Sequence, residues 1–554
     1  MESTESSSSK GVDKTVSVSI LWFRHGLRLH DSPAFIAATS NRDHLFLPLF
    51  IFDGESAGTK IVGFNRMRFL IESLEDLNNS FSTKYGGSLT VLRGQPVDLF
   101  RKLSQKWKIA KICFEQDCEP IWKERDDGVK EFCKENGIEV VECISHTLYD
   151  PAEILSANGG NPPYTYSSFM FVASTLGKPE RPLSAPNPET EAGKINFFGM
   201  TGDDDDLALC QLHFPMTPEV FGVSKEKAVG ENMRKGGETE GIILLEKRLA
   251  IEKQAFEQGL MLPNHTNPDF INGASLSPHL RFGCVSVRTF YWAVQDLFSA
   301  IVSGNTTCET ITGQLFWREY FYVMSVPNPN FDKMKSNPIC LNIPWAKDVI
   351  AKENLKKWKA GKTGYPFIDA SMRQLIEQGW LHHVARNATA CFLTRNDLWI
   401  SWEKGLKHFL KYLLDADWSV CAGNWLWVSS SAFENVLDCT LCICPTRYAQ
   451  RLDPEAKFIK RFIPELQNYP IPYVFEPWTA PLELQNQWGC MIGKDYPAPI
   501  VNHEIVSKRN KAEMVSLQKM LAGGGLNEHP CPSNTNEARN FMWFPEICSH
   551  ESSP

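Results

Sequence analysis

Between Val16 and Trp22 apolar side chains fall on every second residue (Val16, Val18, Ile20, Trp22), the period of a strand. Four more apolar runs of strand length follow, Leu45–Phe52, 89–92, 109–114 and 138–143. Between them, 65–79, 97–107 and 121–136 repeat their apolar residues at helical spacing. Strands alternating with helices need right-handed crossovers, so the pattern predicts a doubly wound parallel α/β domain over 16–146. The Ser-rich residues 1–15 read as a disordered leader, and 147–237, rich in Pro, Gly, Asn and Ser, as a long connector. From 238 to 520 the helical period takes over, as at 242–258, 287–302, 310–324 and 370–378, and predicts a larger, mostly helical domain. Gly523, Gly524 and Gly525 then open a tail, 521–554, that holds Phe541-Met542-Trp543-Phe544. No internal repeat is found.

Composition narrows the class. Hydrophobic residues at 43% and charged ones at 22% match a folded globular chain and exclude global disorder. Acidic residues outnumber basic ones, 65 to 57, so no whole-chain positive field recruits phosphate backbones and nucleic acid is disfavoured as main partner. The 16 cysteines are scattered behind a polar N-terminus without a secretory apolar region, which predicts free thiols in cytoplasm and nucleus. No apolar run approaches about 18 residues, the length of a membrane span. The unusual feature is tryptophan: 13 of 16 lie between Trp292 and Trp543.

Nucleotide signatures fail. Gly361-Lys362-Thr363 imitates the end of a phosphate loop, but Lys356 stands where the leading glycine is required, and no G-x-G-x-x-G follows a strand. Cys439, Cys442 and Cys444 lack a fourth ligand at finger-like spacing, and the adjacent His382 and His383 point apart on a helix, so no metal is expected. The densest constellation is Asp415-Ala416-Asp417-Trp418-Ser419-Val420-Cys421-Ala422-Gly423-Asn424-Trp425-Leu426-Trp427. Two carboxylates beside small residues and three indoles suit a polar cofactor walled from water, or a Trp-rich core with a helix-capping Asp. Trp399 and Trp402, three apart, share a helical face and read as core on spacing alone.

Trp22-Phe23-Arg24-His25-Gly26-Leu27-Arg28-Leu29-His30-Asp31, Leu276-Ser277-Pro278-His279-Leu280-Arg281-Phe282-Gly283, Gln314-Leu315-Phe316-Trp317-Arg318-Glu319, Gly379-Trp380-Leu381-His382-His383 and the Asp415 to Trp427 block together resemble the photolyase/cryptochrome flavoprotein family. The resemblance implies an α/β domain, a connector and a helical domain holding FAD in a U-shape, which gives the missing phosphate loop a reason. It implies that Arg248, Ser275 and Ser277 contact the diphosphate, that Gln314 lines the cavity near the adenine, and that His383 sits where substrate or tail meets flavin. Arg386 is then the partner of Asp415 against the isoalloxazine ring, Ala416, Asp417 and Asn424 complete its contacts, and Cys421 faces flavin N5. Trp425, Trp402, Trp345 and Trp399 match the family's electron chain to the surface.

Departures from the repair pattern separate the subfamilies. The (6-4) photolyases carry a proton-donating His where this chain has Asn387, and an amide cannot do that step. The cyclobutane-dimer photolyases have Glu at the position of Gln314 and Asn at that of Cys421. Cysteine there, with a short tail carrying Phe541 and Trp543, resembles the light-sensitive insect-type cryptochromes; Met542 replaces the family's usual Phe. That likeness implies a blue-light photoreceptor without turnover. Because a thiol is a poor proton donor, photoreduction is expected to stop at an anionic semiquinone. The same likeness implies that the tail docks on the helical domain and leaves it in light, and the implied partners are Timeless-type clock proteins and a ubiquitin-ligase adaptor. A repair enzyme of altered lesion chemistry and a light-independent transcriptional repressor are the alternatives. Any antenna chromophore and the oligomeric state stay open.

Overall fold

The computed structural model describes residues 16–54, 62–191, 194–199, 205–226, 230, 234–259, 275–302, 311–433 and 443–522. The leader and the tail residues Phe541, Met542 and Trp543 lie outside them. Five parallel strands, β1 (Ser17–Phe23), β2 (Leu45–Phe52), β3 (Thr90–Arg93), β4 (Lys108–Glu115) and β5 (Glu139–Cys143), form a sheet ordered β5-β4-β1-β2-β3. A sixth, β6 (Gln211–Leu212), runs antiparallel along β3. The sequence pattern missed it because two residues carry no period.

The alternation in β1 divides the sheet between two cores, since successive side chains leave opposite faces. Val18, Ile20 and Trp22 pack with Leu47, Leu49 and Ile51 on one face, while Leu21 and Phe23 join Phe46, Phe50 and Phe52 on the other. Burial on both faces makes β2 apolar throughout rather than alternating. Pro48, in the interior of this central strand, pairs with Leu21 of β1 and precedes the first β2–β3 pair, Leu49 with Thr90.

The helix Phe64–Tyr85 covers the second face with Phe69, Leu70, Leu74, Leu77 and Phe81, and it ends at Gly86, whose φ of 75° lets the chain turn in the left-handed region. Its first turn ties the α/β unit to the helical one: Asn65 Nδ2 donates to the carbonyls of Ile376 and Glu377, and Arg66 donates to those of Leu410 and Ala416.

The helical unit is built from Glu238–Glu257, Val287–Ile301, Ile311–Ser325, Val349–Lys359, Pro366–Gln378, His383–Cys391, Trp402–Tyr412, Trp418–Val428, Pro445–Leu452 and His503–Ala522, with shorter helices and turns between. Two helices of the preceding stretch, Pro151–Ala157 and Tyr166–Leu176, lie against it; the Tyr166 ring stacks on Trp317 at 3.9 Å. After Cys391 the chain makes a π turn over Phe392–Asn396, kinked at Thr394 (φ −98°, ψ −108°), and passes Trp399 at φ 55° before Ser401 caps the next helix. The kink breaks the 383–391 helix from the 402–412 helix and sends Trp399 back to the carbonyl of Pro344, which accepts its indole N–H at 3.1 Å. Among the described residues no helix is long and apolar enough to cross a membrane.

Candidate functional site

The helix Trp418–Val428 organises the site. Its N-cap, Asp417, is extended (φ −83°, ψ 141°) and makes no side-chain cap bond. The cap comes from the α/β unit instead: Glu119 Oε1 accepts the backbone N–H and the hydroxyl of Ser419, both at 2.9 Å, and Glu119 Oε2 accepts the indole N–H of Trp122. Asp417 is thereby released from capping. Its Oδ1 lies 2.8 Å from Arg281 Nε, but that N–H donates to the Ala416 carbonyl at 3.0 Å, which leaves Oδ1 a buried acceptor without a hydrogen bond. Arg66 Nη2 donates to the same carbonyl at 2.8 Å. Burial and the nearby Arg281 charge pull Arg66 down to about 10.

Asp415 sits at the centre. Arg386 grips both its oxygens (3.1 and 2.8 Å), and Ser277 Oγ donates to Oδ2 at 2.5 Å. Ser275 and Ser277 hydroxyls are 2.9 Å apart. Burial acts to raise the Asp415 carboxyl, but Arg386 and Ser277 outweigh it and hold the group below its usual value. Arg386 is fixed in turn by its Nε bond to the Leu381 carbonyl, 2.9 Å.

Along the 418–428 helix, Asp417, Cys421 and Trp425 recur every four residues and so share one face. Cys421 is buried; desolvation, with the charges of Asp415 and Asp417, pushes its thiol up to about 12. The Trp425 ring packs against Gly405: a Cβ there would lie 2.1 Å from Trp425 Cη2. Gly405 is one turn beyond Trp402 on the same helix. Trp425, Trp402, Trp345 and Trp399 are 3%, 0%, 3% and 9% exposed, and the Trp345 and Trp399 ring centroids are 5.0 Å apart.

Ser275, Ser277, Arg386, Asp415, Ala416, Asp417 and Cys421 are thus brought together. His383 and Asn387 are half-buried one turn apart, with the His383 ring 4.7 Å from His382. Gln314 is exposed, and so is Asn424, whose amide donates to the Val420 carbonyl at 2.8 Å. Arg248 pairs with the buried Glu252 of its own helix. Three groups of the site went unassigned from sequence. Arg281 stands inside the quoted Leu276 to Gly283 motif, whereas Glu119 and Arg66 come from the α/β unit, and no local spacing announces them.

The model described as the FAD binding domain of DNA photolyase matches residues 311–516, and that described as DNA photolyase matches 19–188. Cryptochrome-1 of Anopheles gambiae is 50% identical over 550 residues, covering 96% of this chain and 99% of its own. Cryptochrome-1 of Drosophila melanogaster is 48% identical over 554 residues, with coverage of 96% and 99%. Among solved structures, a bacterial class III photolyase from Agrobacterium tumefaciens superposes with a TM-score of 0.74 at 25% identity, covering 93% of this chain and 100% of that one. A Synechocystis sp. cryptochrome has the same fold, with a TM-score of 0.73 at 23% identity over 90% and 99%. The matches define a flavin-binding class, and the chain belongs to the photolyase/cryptochrome family. Within that family its full-length likeness is to insect cryptochromes, and its helical unit is an FAD-binding domain.

The residues present fit FAD. The Ser275 and Ser277 hydroxyls suit phosphate oxygens, the Arg386 cation and the Asp417 oxygen that accepts no hydrogen bond suit the polar edge of a heteroaromatic ring, and the Cys421 to Trp425 face supplies an apolar wall.

Proposed function

We propose that this chain is a blue-light photoreceptor that signals by electron transfer rather than by turnover. FAD held at the Asp415 cluster supplies blue-light absorption and the capacity to accept one electron. The chain's own residues do the rest. Trp425 gives up an electron, and Trp402, Trp345 and Trp399 refill it in turn, so that each transfer moves the hole outward and delays recombination. Arg386, locked to Asp415, would offer bound FAD a cation that needs no reorganisation. Cys421 keeps its proton because its thiol is held far above neutrality.

The observation that supports this reading is the stripe of Asp417, Cys421 and Trp425 on one helix, a polar contact leading into an indole sealed against Gly405. His383 would sense the charge that bound FAD gains, docking of Phe541, Met542 and Trp543 would weaken, and tail release would free a surface for Timeless-type clock proteins and a ubiquitin-ligase adaptor in nucleus and cytoplasm. Illumination of the purified protein under air, without DNA, tests the reading. A red flavin radical formed within the irradiation period supports it; full reduction coupled to lesion repair, or a protein that holds no flavin, contradicts it.

A further inference from the structure

Trp425 touches a further indole, one that the tryptophan chain does not use. The ring centroids of Trp425 and Trp358 are 6.4 Å apart, edge to face, and Phe409 lies beside both, at 5.0 and 6.2 Å. Trp358, near the end of the helix Val349–Lys359, is fully buried, and its indole N–H donates to the Thr389 carbonyl at 3.1 Å. From Trp358 the rings continue outward along the helix Trp402–Tyr412. His408 is 5.7 Å from Trp358, and Tyr412, one turn on, is 4.8 Å from His408.

Tyr412 ends this row half-buried, and its phenol is held from a distant part of the chain. Its O–H meets both carboxylate oxygens of Glu226, at 3.0 and 3.1 Å. Lys411 Nζ donates to Tyr412 Oη at 2.9 Å and to Glu226 Oε1 at 3.0 Å, and it stands 4.5 Å from the centre of the Tyr412 ring. Burial raises the phenol above its ordinary value, so it keeps its proton in the resting protein.

Three features separate a relay from a terminus along this row. A carbonyl accepts the Trp358 N–H but is no base, so an oxidised Trp358 keeps its proton, remains a cation and passes the hole on. Burial, with the charges of Lys359 and Lys411, holds the His408 imidazole down to about 3, so the ring between Trp358 and Tyr412 is neutral. The Lys411 ammonium over the Tyr412 ring opposes a cation there. The phenol therefore loses its electron only as its proton leaves, and the Glu226 carboxylate is in place to take it.

We propose that Tyr412 ends a second hole path, from Trp425 through Trp358, with Glu226 as its proton acceptor. The proposal rests on the reading of Trp425 as first donor. The oxidant is Trp425 after it has given an electron to FAD. Trp358 passes one electron to Trp425, Tyr412 passes one to Trp358 across His408, and the phenol proton moves to Glu226 with that last electron. The products are neutral Trp425 and Trp358, a neutral tyrosyl radical and a protonated Glu226. Return of the hole requires the proton to come back with the electron, which holds the separated charge longer than a cation radical would. Protonation also removes the charge that pairs Glu226 with Lys411.

The full chain loaded with FAD, made with ordinary or ring-deuterated tyrosine, is illuminated with blue light, frozen and read by EPR. The flavin radical in the same sample is the reference. The expected result is a tyrosyl signal that narrows on deuteration and is lost in Tyr412→Phe. Glu226→Gln is expected to weaken it severalfold, and Trp402→Phe, which closes the other path, to strengthen it. A flavin radical with no tyrosyl signal beside it, a tyrosyl signal that survives Tyr412→Phe, or one that vanishes in Trp402→Phe while the flavin radical persists, overturns the proposal and leaves Trp425 as donor. Absence of any flavin radical in wild type overturns the reading of Trp425 together with the proposal.

Discussion

Glu119 of the α/β unit caps a helix 300 residues further along the chain, by accepting the N–H and hydroxyl of Ser419. The relation joins the two units at the residue next but one to Asp417, so helix stability and site geometry depend on one carboxylate. Glu119→Ala removes a charged cap and leaves the Ser419 N–H without its partner, at a cost of about 2 kcal/mol. Asp417 is then the nearest carboxylate able to turn back and cap. The expected outcome is a lower Tm together with a weaker grip on FAD, measured as flavin retained after gel filtration; loss of stability with undiminished retention would separate the two roles.

The Asp415–Arg386 pair sets an acid limit. The folded Asp415 carboxyl titrates below its ordinary value, so its contribution is complete above that value and is lost as pH falls through the lowered one. Flavin retention is expected to hold from neutrality to about pH 4 and to decline below. Asp415→Asn removes that dependence and leaves Arg386 without its ion-pair partner. The Arg386 side chain is 25% exposed, which puts the cost at about 2–3 kcal/mol, near the lower limit for a broken buried pair, readable from urea unfolding.

Gly405 leaves no room for a side chain. Its built Cβ meets Trp425 Cη2 at 2.1 Å, so Gly405→Ala has to displace the indole. Overpacking of this kind costs about 1–3 kcal/mol. A displaced Trp425 also sits differently against the 402–412 helix, and the yield of photoreduced flavin per absorbed photon is expected to fall more steeply than Tm. An unchanged yield would show that Trp425 tolerates the shift.

On the proposed reading Cys421 acts by withholding a proton. With its thiol held up to about 12, it is no donor at neutral pH, so Cys421→Ala is expected to give the same anionic radical absorbance as wild type. Cys421→Asp puts a carboxyl at that position, and growth of the neutral-radical band at longer wavelength is expected on illumination at mildly acidic pH. A neutral radical in wild type would place the proton source elsewhere.

The legible parts of the molecule were those with local signatures. β2 and β4 announced themselves as apolar runs and the 418–428 helix as a dense motif, because each buries a continuous stretch of its own sequence. The serines, Arg386 and Asp415 were legible through ordered resemblance rather than through spacing, and the structure joins them in one hydrogen-bonded group. Long-range relations were not legible. Glu119 reads as one more acid before Pro120, and nothing near it in sequence specifies Ser419 as its partner. Arg248 shows the converse, since a resemblance cannot reveal that Glu252, one turn on, engages its guanidinium. The Trp excess divides along the same line: Trp358, with its indole N–H on the Thr389 carbonyl, packs beside Trp425 in the core, although composition alone cannot tell the two apart.

Trp425 is proposed as the first electron donor. The dark-minus-blue-light absorbance difference of wild type and Trp425→Phe, at matched flavin occupancy, tests it most directly. Phe preserves the apolar packing against Gly405 and Phe409 but is far harder to oxidise. An anionic radical signal is expected in wild type and its loss in Trp425→Phe; a signal of undiminished size in the variant would rule Trp425 out as the first donor.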